Sequence, residues 1–290
     1  MNKSTLPELI SPYFFLNEKF YDEVKPANFP NTIIRYRNKN FKEFSDIGDQ
    51  EWIDFFALFD HKDLPLKKNL AMKYHGHQFR VYNPNIGDGR GFTIAQFYKN
   101  KKLYDLGTKG SGLTPYSRGG DGRLTLKGGV REVLCSNYLD AQGVSTSQSL
   151  SLIETGESLT RSDEPSPTRS SILVRVSHSH IRIGTFQYHA YHQDHDSLEL
   201  LIKSVGKYYL FLDEKNNSPL NFFKSVVKKC AKLAASYHIC GFVHGVLNTD
   251  NININGESFD YGPYRFLEKY DPHKIAAYFD HSGLYKFSNQ

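Results

Sequence analysis

The sequence predicts an α+β fold with a sheet-rich first half and a helical second half. Alternating apolar residues at positions 79–83, 92–98 and 102–109 predict three strands. Ser218-Pro219, a pair typical of an N-cap and first helical residue, opens a long amphipathic segment that predicts a helix and that Gly241 ends. The 290 residues suffice for one large domain or two small ones.

The other elements follow from similar patterns. The first seventy residues mix aromatic residues with prolines and predict an irregular wrapping segment with a short helix near residues 50–60. Further strands are predicted at 148–153 and 172–176. A helix precedes them, ends at Gly143, and is predicted to have an apolar stripe made of Val130, Val133, Leu134, Tyr138 and Ala141.

Composition argues against several classes of protein. The 36 Lys and Arg against 31 Asp and Glu leave a net charge of +5, which is too mild to mark a nucleic-acid-binding face. The three cysteines lack CxxC spacing and indicate a reducing compartment. No apolar run approaches the roughly 18 residues that cross a bilayer, and the N-terminus does not resemble a signal peptide. We therefore expect a cytoplasmic protein without nucleic-acid or membrane partners.

A predicted hairpin would bring oxygen ligands together. Asn255-Gly256 lies between two alternating segments and predicts a two-residue type I′ turn. In that hairpin Asn251 would face Asp260, with Cβ atoms about 4.5–5.5 Å apart, and Asp250 would lie beside them. Such a set suits Mg²⁺ that keeps some water ligands and shares a polyphosphate. The alternative is that these residues only cap turns.

Two glycine-rich loops adjoin the predicted strands. Gly87-Asp88-Gly89-Arg90-Gly91 connects the first two strands, and Gly110-Ser111-Gly112 follows Lys109. Backbone N–H groups in such loops can bind phosphates, and a lysine at a strand end can bind them as a point charge. Glu132 lies away from the predicted apolar stripe and could orient Lys109. Ordinary hairpin loops, a solvated lysine and a surface glutamate are the alternatives.

Two arginines and several histidines need a separate interpretation. Arg175 and Arg182 would point to opposite faces of a continuous strand, so they can bind one anion only if the strand breaks at 177–180. Histidines occur in close pairs without Cys or carboxylate partners at zinc spacing, so we interpret them as structural: His75, His77, His178 and His180. We expect His244 to support the loop that follows it.

Taken together, these features occur in the order of a protein kinase, although His-Arg-Asp is absent and Asp260-Tyr261-Gly262 replaces Asp-Phe-Gly. From about residue 74 to 290 the sequence contains a series of longer motifs, namely Gly76-His77-Gln78-Phe79, Gly87-Asp88-Gly89-Arg90-Gly91, Thr114-Pro115-Tyr116-Ser117-Arg118, Gly120-Asp121-Gly122-Arg123, Ser179-His180-Ile181-Arg182, residues 244–251, and Asp260-Tyr261-Gly262-Pro263. In these motifs and their order the sequence resembles the SelO (selenoprotein O) family of pseudokinase-like protein adenylyltransferases.

The resemblance implies a bilobal protein-kinase-like fold in which ATP binds inverted, so that AMP is transferred to Ser, Thr or Tyr hydroxyls of proteins and pyrophosphate leaves. It implies that Asp250 is the proton acceptor, that Asn251 and Asp260 ligate Mg²⁺, with Mn²⁺ as the alternative ion, and that Glu132 pairs with Lys109. It also implies a set of nucleotide-binding residues, namely Gly87, Gly89, Arg90, Lys109, Asp121, Gly122, Arg175, Arg182 and Asp260.

This interpretation divides the chain into an N-terminal wrapping segment (1–70), an N-lobe with the nucleotide loop and lysine strand (71–176), and a partial C-lobe with the catalytic loop and metal hairpin (177–290). Family members usually continue beyond Ser288-Asn289-Gln290, so we expect a C-terminally short member with a truncated helical lobe. Arg80 stands where the family generally has glycine. The alternatives are an inactive remnant that binds nucleotide or a partner, and an ordinary kinase-type phosphotransferase.

Overall fold

The computed structural model describes residues 7–61, 68–213 and 215–290. These residues form an α+β structure with a large antiparallel sheet. The described residues contain five α-helices: α1 (Asp49–Phe56), α2 (Leu126–Ala141), α3 (Ile183–Tyr191), α4 (His195–Tyr208) and α5 (Pro219–Ile239). They also contain short 3-10 helices at Lys42–Phe44, Thr249–Asn251 and Phe287–Asn289. None of the described helices is long and apolar enough to cross a bilayer.

The strands of the described residues are β1 (Leu9–Ile10), β2 (Tyr21–Val24), β3 (Ile33–Arg37), β4 (Asn69–Met72), β5 (Gly76–Gln78), β6 (Val81–Asn83), β7 (Thr93–Lys99), β8 (Lys102–Lys109), β9 (Leu124–Thr125), β10 (Gln148–Leu159), β11 (Thr168–Ser177), β12 (Phe242–Val243) and β13 (Arg265–Phe266). Nine of them form one sheet in the order β2-β4-β7-β8-β11-β10-β3, with β1 paired to β7 and β9 paired to β11. The pairs β5-β6 and β12-β13 form two small sheets.

The chain divides into two compact units that are interleaved along the sequence. The first contains residues 1–73, 87–133 and 148–177, and the second contains 74–86, 134–147 and 178–290. The first unit therefore contains the whole nine-stranded sheet, and the second contains α3, α4, α5 and both small sheets. The three regions that the sequence predicts, 1–70, 71–176 and 177–290, stay a prediction, and parts of the first lie outside the described residues.

The two faces of the large sheet have different apolar coverings. One face belongs to a core that includes Leu106, Val174 and Val176 from the sheet and an aromatic group from the N-terminal segment: Phe41, Phe44, Trp52, Phe55 and Phe56. The other face presents Leu152 and Leu173 to Leu126 and Val133 of α2. Because side chains alternate along a strand, this division determines which polar residues of β8 and β11 lie under α2.

Several predicted elements are confirmed with small shifts at their ends. The predicted strands at 92–98 and 102–109 correspond to β7 and β8, and α5 begins at Pro219 with Ser218 accepting a hydrogen bond from Asn221 N. Gly143 follows α2 in the left-handed conformation that ends a helix (φ 75°). The predicted strand at 79–83 is wrong in part, because Phe79 and Arg80 have positive φ values (52° and 66°) and form the turn between β5 and β6.

The predicted apolar stripe of α2 is wrong except at Val133, which is buried. Val130, Leu134 and Tyr138 are exposed, whereas Glu132, Cys135, Ser136 and Leu139 are buried. The buried face mixes apolar residues with a carboxylate because one of its buried partners is a charged lysine, as described below. A hydrophobic periodicity cannot identify a buried face that contains a carboxylate. The helices α3 and α4 were also not predicted.

The predicted hairpin at Asn255-Gly256 is wrong as well. The two halves of the segment bond to different parts of the second unit: Ile254 N donates to Ile181 O, and Ser258 N donates to Ser145 O. Asn253 and Arg182 form an isolated antiparallel bridge, and Thr146 and Ser258 form a parallel one. Partners distant in sequence therefore replaced the local cross-strand pairing that the Asn-Gly signal predicts.

Candidate active site

The register of the large sheet places Lys109 and Arg175 on the same face. Lys109, the last residue of β8, is opposite Leu173 of β11, and Arg175 is opposite Gly107. Directly paired residues share a face, and so do residues two apart, so the two cations are diagonal neighbours about 7–8 Å apart at their backbones. Both are largely buried, with 8% of each residue exposed. The sheet thus presents two positive charges beneath α2.

Glu132 of α2 supplies a negative charge on that face. Its carboxylate Oε1 accepts a hydrogen bond from Lys109 Nζ, and the two side chains are 4% and 10% exposed. A buried ion pair is costly to break because the remaining charge keeps its desolvation penalty. The surface-glutamate alternative is therefore wrong.

The first glycine-rich loop packs directly against the lysine strand. Arg90 O accepts hydrogen bonds from Gly110 N (2.6 Å) and Ser111 N (3.2 Å). A Cβ at Gly91 would lie 1.9 Å from Thr108 O, so no other residue fits there without moving the strand. The Arg90 side chain is exposed and has no ion pair within the part of the chain that the structure describes. The backbone of the loop is therefore bonded to the residues that follow Lys109, and the loop carries one exposed cationic side chain.

A second segment supports the same loop. Thr114 Oγ1 donates to Asp88 O (2.5 Å), and Ser117 Oγ donates to Gly89 O (2.6 Å). These hydroxyl groups satisfy carbonyl groups of the loop and hold its backbone in place. The motif Thr114-Pro115-Tyr116-Ser117 consequently has a structural explanation that its residue types alone do not give.

Asp121 has a strong partner of its own. Its carboxylate accepts two hydrogen bonds from Arg161 (2.7 and 3.0 Å) and one from Arg123 N (2.9 Å). Partial burial raises the pKa of Asp121. The hydrogen bonds and charges of Arg161 and Arg123 together outweigh this effect, so the pKa lies below its usual value. The neighbouring Gly122 is buried. Sequence reasoning did not identify Arg161, which lies 40 positions away.

In the second unit Asp250 is the most deeply buried of the candidate acidic residues. It belongs to the 3-10 helix Thr249–Asn251 and is 7% exposed. Its Oδ2 accepts a hydrogen bond from Gln78 Nε2 (2.8 Å), whereas its Oδ1 is buried without a hydrogen-bond partner among the described residues. A buried unpartnered carboxylate oxygen is rare and costly, and such atoms occur where a substrate or catalytic proton is bound.

The pKa of Asp250 is raised above its ordinary value. Burial is the main cause, because it disfavours the charged form. The hydrogen bond from Gln78 and the charge of Arg182 lower the pKa, and the charge of Asp260 raises it. The carboxylate therefore lies in the electrostatic neighbourhood of both Arg182 and Asp260, and its environment favours accepting a proton.

Arg182 and Asp260 form a half-buried ion pair in the same unit. Arg182 Nη2 lies 3.2 Å from Asp260 Oδ2, and the guanidinium packs over the rings of Tyr74 and Phe259, 4.3 and 5.0 Å from their centroids. Asp260 has φ 59°, a left-handed conformation that aspartate adopts more readily than most residues other than glycine.

Asn251 and Asp260 carry oxygen atoms of the kind that a hard cation binds. Asn251 Nδ2 donates to Val246 O (2.8 Å), which leaves its amide oxygen as the atom that could ligate. Asp260 adds a carboxylate, and oxygen ligands of this kind suit Mg²⁺ that keeps waters or phosphate oxygens. The described residues contain no group of three or more His, Cys, Asp and Glu, so a cation here would need ligands from a substrate or water.

The histidines pack against neighbouring side chains and carbonyl groups. His75 Nδ1 lies 2.7 Å from Tyr82 OH, and His178 Nδ1 lies 2.8 Å from Glu257 Oε1. His244 Nε2 lies 3.0 Å from Phe259 O, directly before Asp260, as the expected support of that loop requires. These contacts give each of the three a structural role.

Sequence reasoning missed Gln78 as a neighbour of Asp250. The two residues are 172 positions apart, and no local pattern relates them. The sequence did contain a signal for Gln78. It belongs to the motif Gly76-His77-Gln78-Phe79, which was recognised but was given no role in nucleotide binding.

Comparison with known proteins identifies the family of this chain. The family model described as "Protein adenylyltransferase SelO" matches residues 10–290. A protein of Synechocystis sp. named protein nucleotidyltransferase YdiU is 51% identical over 285 residues, which cover 95% of this chain and 59% of that protein. A protein of the same name from Trichodesmium erythraeum is 51% identical over 290 residues, covering 95% of this chain and 60% of the relative.

A more distant relative retains the similarity. The protein nucleotidyltransferase YdiU of Vibrio cholerae is 37% identical over 278 residues, which cover 95% of this chain and 56% of that protein. The chain therefore spans somewhat more than half the length of the curated relatives that it matches.

Proposed function

Since this chain belongs to the SelO family, we propose that it transfers AMP from ATP to Ser, Thr or Tyr hydroxyls of proteins and releases pyrophosphate. The observation that carries the proposal is the buried Lys109–Glu132 ion pair beside a glycine-rich loop, in a chain whose relatives are named protein nucleotidyltransferases. A lysine held by a glutamate is a recurring phosphate-binding arrangement in enzymes of phosphoryl and nucleotidyl transfer.

We further propose that the two units correspond to the two lobes of a protein-kinase-like fold. The first unit supports this by its antiparallel sheet and its helix with the lysine–glutamate pair. The second supports it by its helices and by the order of Asp250-Asn251 and Asp260-Tyr261-Gly262. The absent His-Arg-Asp motif favours nucleotidyl transfer over ordinary phosphoryl transfer.

We propose a set of nucleotide-binding residues. Arg90, Lys109 and Arg175 supply positive charge, and Gly87 and Gly89 belong to the glycine-rich loop beside the lysine strand, where backbone N–H groups can bind phosphates. The other proposed residues are Asp121, Gly122, Arg182 and Asp260. The positive charges matter because they neutralise the charge that develops on the departing pyrophosphate.

In the reaction the acceptor oxygen attacks the α-phosphorus, and its proton passes to Asp250. A bond forms between that oxygen and the α-phosphorus, while the bond from the α-phosphorus to the bridging oxygen breaks and its electron pair leaves with pyrophosphate. The unpartnered Oδ1 of Asp250 and the raised pKa of this group support the role of proton acceptor.

Asn251 and Asp260 would hold Mg²⁺, or Mn²⁺ in its place, through one amide and one carboxylate oxygen. Bound Mg²⁺ supplies charge neutralisation on the polyphosphate. The hydrogen bond from Asn251 Nδ2 to Val246 O orients the amide that would supply one of these oxygens. Cys135, Cys230 and Cys240 are free thiols, which supports a reducing, cytoplasmic compartment.

The test uses ATP labelled at one phosphate at a time. The chain is incubated with Mg²⁺ and either α-³²P-ATP or γ-³²P-ATP, with casein as a hydroxyl-bearing acceptor, and both proteins are then analysed by mass spectrometry. Adenylyl transfer labels protein from the α position and adds the mass of AMP.

The other outcomes identify the alternatives. Label from the γ position alone would indicate a kinase-type phosphotransferase. Thermal stabilisation by ATP and Mg²⁺ without any label would indicate a nucleotide-binding remnant that does not turn over. Either result contradicts the proposed activity.

A further inference from the structure

The hairpin formed by β5 and β6 is not explained by nucleotide binding. Its register pairs Gly76 with Asn83 and Gln78 with Val81, so these four residues share one face. His77 and Tyr82 occupy the other face, where His75 packs edge-on against Tyr82 with ring centroids 5.5 Å apart. The face with Gly76 and Gln78 is the one that contacts Asp250.

Backbone groups of the hairpin also bind the loop that contains Asp250. His77 N donates to Thr249 Oγ1 (3.0 Å), and Phe79 N donates to Tyr285 OH (2.7 Å). The Tyr285 hydroxyl in turn donates to Asn248 Oδ1. The residues on the N-terminal side of Asp250 are therefore held by β5 and the turn that follows it.

Gly76 permits the close approach of the Asp250 side chain. A Cβ at position 76 would lie 2.7 Å from Asp250 Oδ1 and 3.0 Å from Asp250 Cβ. Both distances are shorter than nonbonded carbon contacts allow, so any larger residue would displace the carboxylate. The absence of a side chain at this position is thus a condition for the observed placement of Oδ1.

Gln78 determines which carboxylate oxygen stays available. Its Nε2 donates to Oδ2, while its Oε1 accepts a hydrogen bond from Asn83 Nδ2 (3.1 Å). Because Asn83 engages the amide oxygen, the amide nitrogen of Gln78 is directed at Asp250. Oδ2 is thereby occupied, and Oδ1 is left as the buried oxygen without a partner.

The chemical type of the donor also matters. A lysine or arginine at position 78 would form an ion pair with Asp250 and stabilise its charged form strongly. A neutral amide orients the carboxylate with one hydrogen bond and adds no net charge.

We propose that Gln78 is a positioning residue for Asp250: with Asn83 behind it and Gly76 beside it, it holds the carboxylate in the orientation in which Asp250 accepts the proton of the acceptor hydroxyl. The proposal deepens the proposed function and rests on it, because it concerns the group assigned as proton acceptor. Gln78 donates its hydrogen bond to Asp250, so we expect its effect to pass through that carboxylate.

The experiment compares Gln78→Met with Gln78→Glu. Methionine keeps the length of the side chain but cannot donate, and glutamate keeps its shape but presents an acceptor to the carboxylate. We expect kcat for AMP transfer to casein to fall about tenfold to a hundredfold in both, as misplacement of a reacting group by about 1 Å does. The Kd for ATP, measured by calorimetry, should stay within about twofold because binding does not involve Gln78.

Two further variants complete the test. Asn83→Ala removes the support of Gln78 and should lower kcat in the same direction but less, about threefold to tenfold. Gln142→Leu alters an exposed glutamine after α2 and should leave kcat, Kd and the melting temperature unchanged. If Gln78→Met melts at a much lower temperature than the wild type, only Gln78→Glu is compared with the wild type, because glutamate keeps the shape of the glutamine side chain.

The outcomes separate this inference from the function on which it rests. Wild-type transfer of AMP together with a wild-type kcat in Gln78→Met and Gln78→Glu would overturn the inference alone. The inference would also be overturned if these variants lost ATP affinity and melting temperature together with kcat, since that indicates a structural role for the hairpin. Absence of AMP transfer by the wild-type chain would overturn the proposed function and this inference with it.

Discussion

The region around Lys109 and the region around Asp250 hold their functional side chains by different means. Lys109 and Arg175 lie on regular strands, where an uninterrupted register fixes their face and spacing. Asp250 belongs to a three-residue 3-10 helix, and Asp260 has a left-handed backbone outside any strand. Side-chain hydrogen bonds, from Gln78 to Asp250 and from Asn251 to Val246 O, orient the second set.

This difference indicates how each region should respond to substitution. A sheet distributes its stability over many backbone hydrogen bonds, so a change at Lys109 or Glu132 acts mainly through the energetics of a buried charge. An irregular loop depends on a few contacts, so a change there acts mainly on geometry. The predictions below use this contrast, from the largest expected effect to the smallest.

The sharpest comparison is between Asp250→Ala and Arg90→Ala. Removing the proposed proton acceptor should lower kcat about 10³-fold with ATP affinity retained, because general base catalysis contributes to the chemical step. Removing the exposed cation of the first unit should weaken ATP binding about tenfold with a smaller effect on kcat. Pyrophosphate release gives kcat, and calorimetry gives Kd. If Asp250→Ala weakened ATP binding as much as Arg90→Ala, the functional distinction between the regions would be lost.

Glu132→Gln should be the most destabilising of the substitutions considered in the first unit. It leaves the buried Lys109 ammonium without its carboxylate, which costs about 3 kcal/mol of the free energy of unfolding. The double variant Lys109→Met/Glu132→Leu removes both charges and should recover stability to within about 1 kcal/mol of the wild type. Urea denaturation measures both changes. Wild-type stability of Glu132→Gln would mean that water reaches the pair.

The pH dependence of stability should depend on His61. Burial lowers the pKa of this histidine to about 4, and its ring packs 4.6 Å from that of Phe55. In the unfolded chain the pKa of this histidine is about 6.5. Below that pH the unfolded chain binds a proton that the folded chain does not, so the stability associated with the neutral, buried His61 is full above pH 6.5 and is lost as the pH falls toward 4. The loss approaches ~1.4 kcal/mol per pH unit within this window.

His61→Phe removes the titrating group and keeps an aromatic ring. Urea unfolding at pH 7, 5.5 and 4.5 should therefore give a shallower slope for this variant than for the wild type. Equal slopes would show that the ring is already solvated in the folded state. The result also matters for the comparison between the two units, because it tests whether the core of the first unit excludes water as fully as its burial indicates.

Tyr261→Phe should have the smallest effect of the set. The hydroxyl donates to Ser258 Oγ (2.7 Å) and contacts Thr146 Oγ1 in a buried network directly after Asp260. Its removal should lower the free energy of unfolding by about 1–2 kcal/mol because buried partners lose a hydrogen bond. Tyr270→Phe, at a residue that is 79% exposed, is the matched control and should change stability by less than about 0.5 kcal/mol. An equal effect in the two variants would contradict a role for the network.

Much of the regular structure was predictable because its signals are local. Alternation identified β7 and β8, and Ser218-Pro219 identified the start of α5. The resemblance to a known family, carried by motifs of several residues each, pointed to Lys109, Glu132 and Asp250. The contact between Lys109 and Glu132 then required only that α2 pack on the correct face of the sheet.

Other features were not predictable because their partners are remote in sequence. The Asn255-Gly256 signal is a local preference, but Ile254 N and Ser258 N find carbonyl groups at positions 181 and 145. Three apolar side chains of α2, those of Val130, Leu134 and Tyr138, are exposed, whereas the buried face includes Glu132, which pairs with Lys109. In both places tertiary hydrogen bonding outweighed a local pattern.

By itself the amino-acid sequence determined the family, the order of the elements and the chemistry of the candidate residues, since residue types and short spacings are written in the chain. Tertiary structure alone decided that Gln78 and Gly76 meet Asp250, that Arg161 binds Asp121, and that Glu132 is buried. The physical reason is that a hydrogen bond or a desolvated charge depends on distance in space, and residues 172 positions apart carry no local record of that distance.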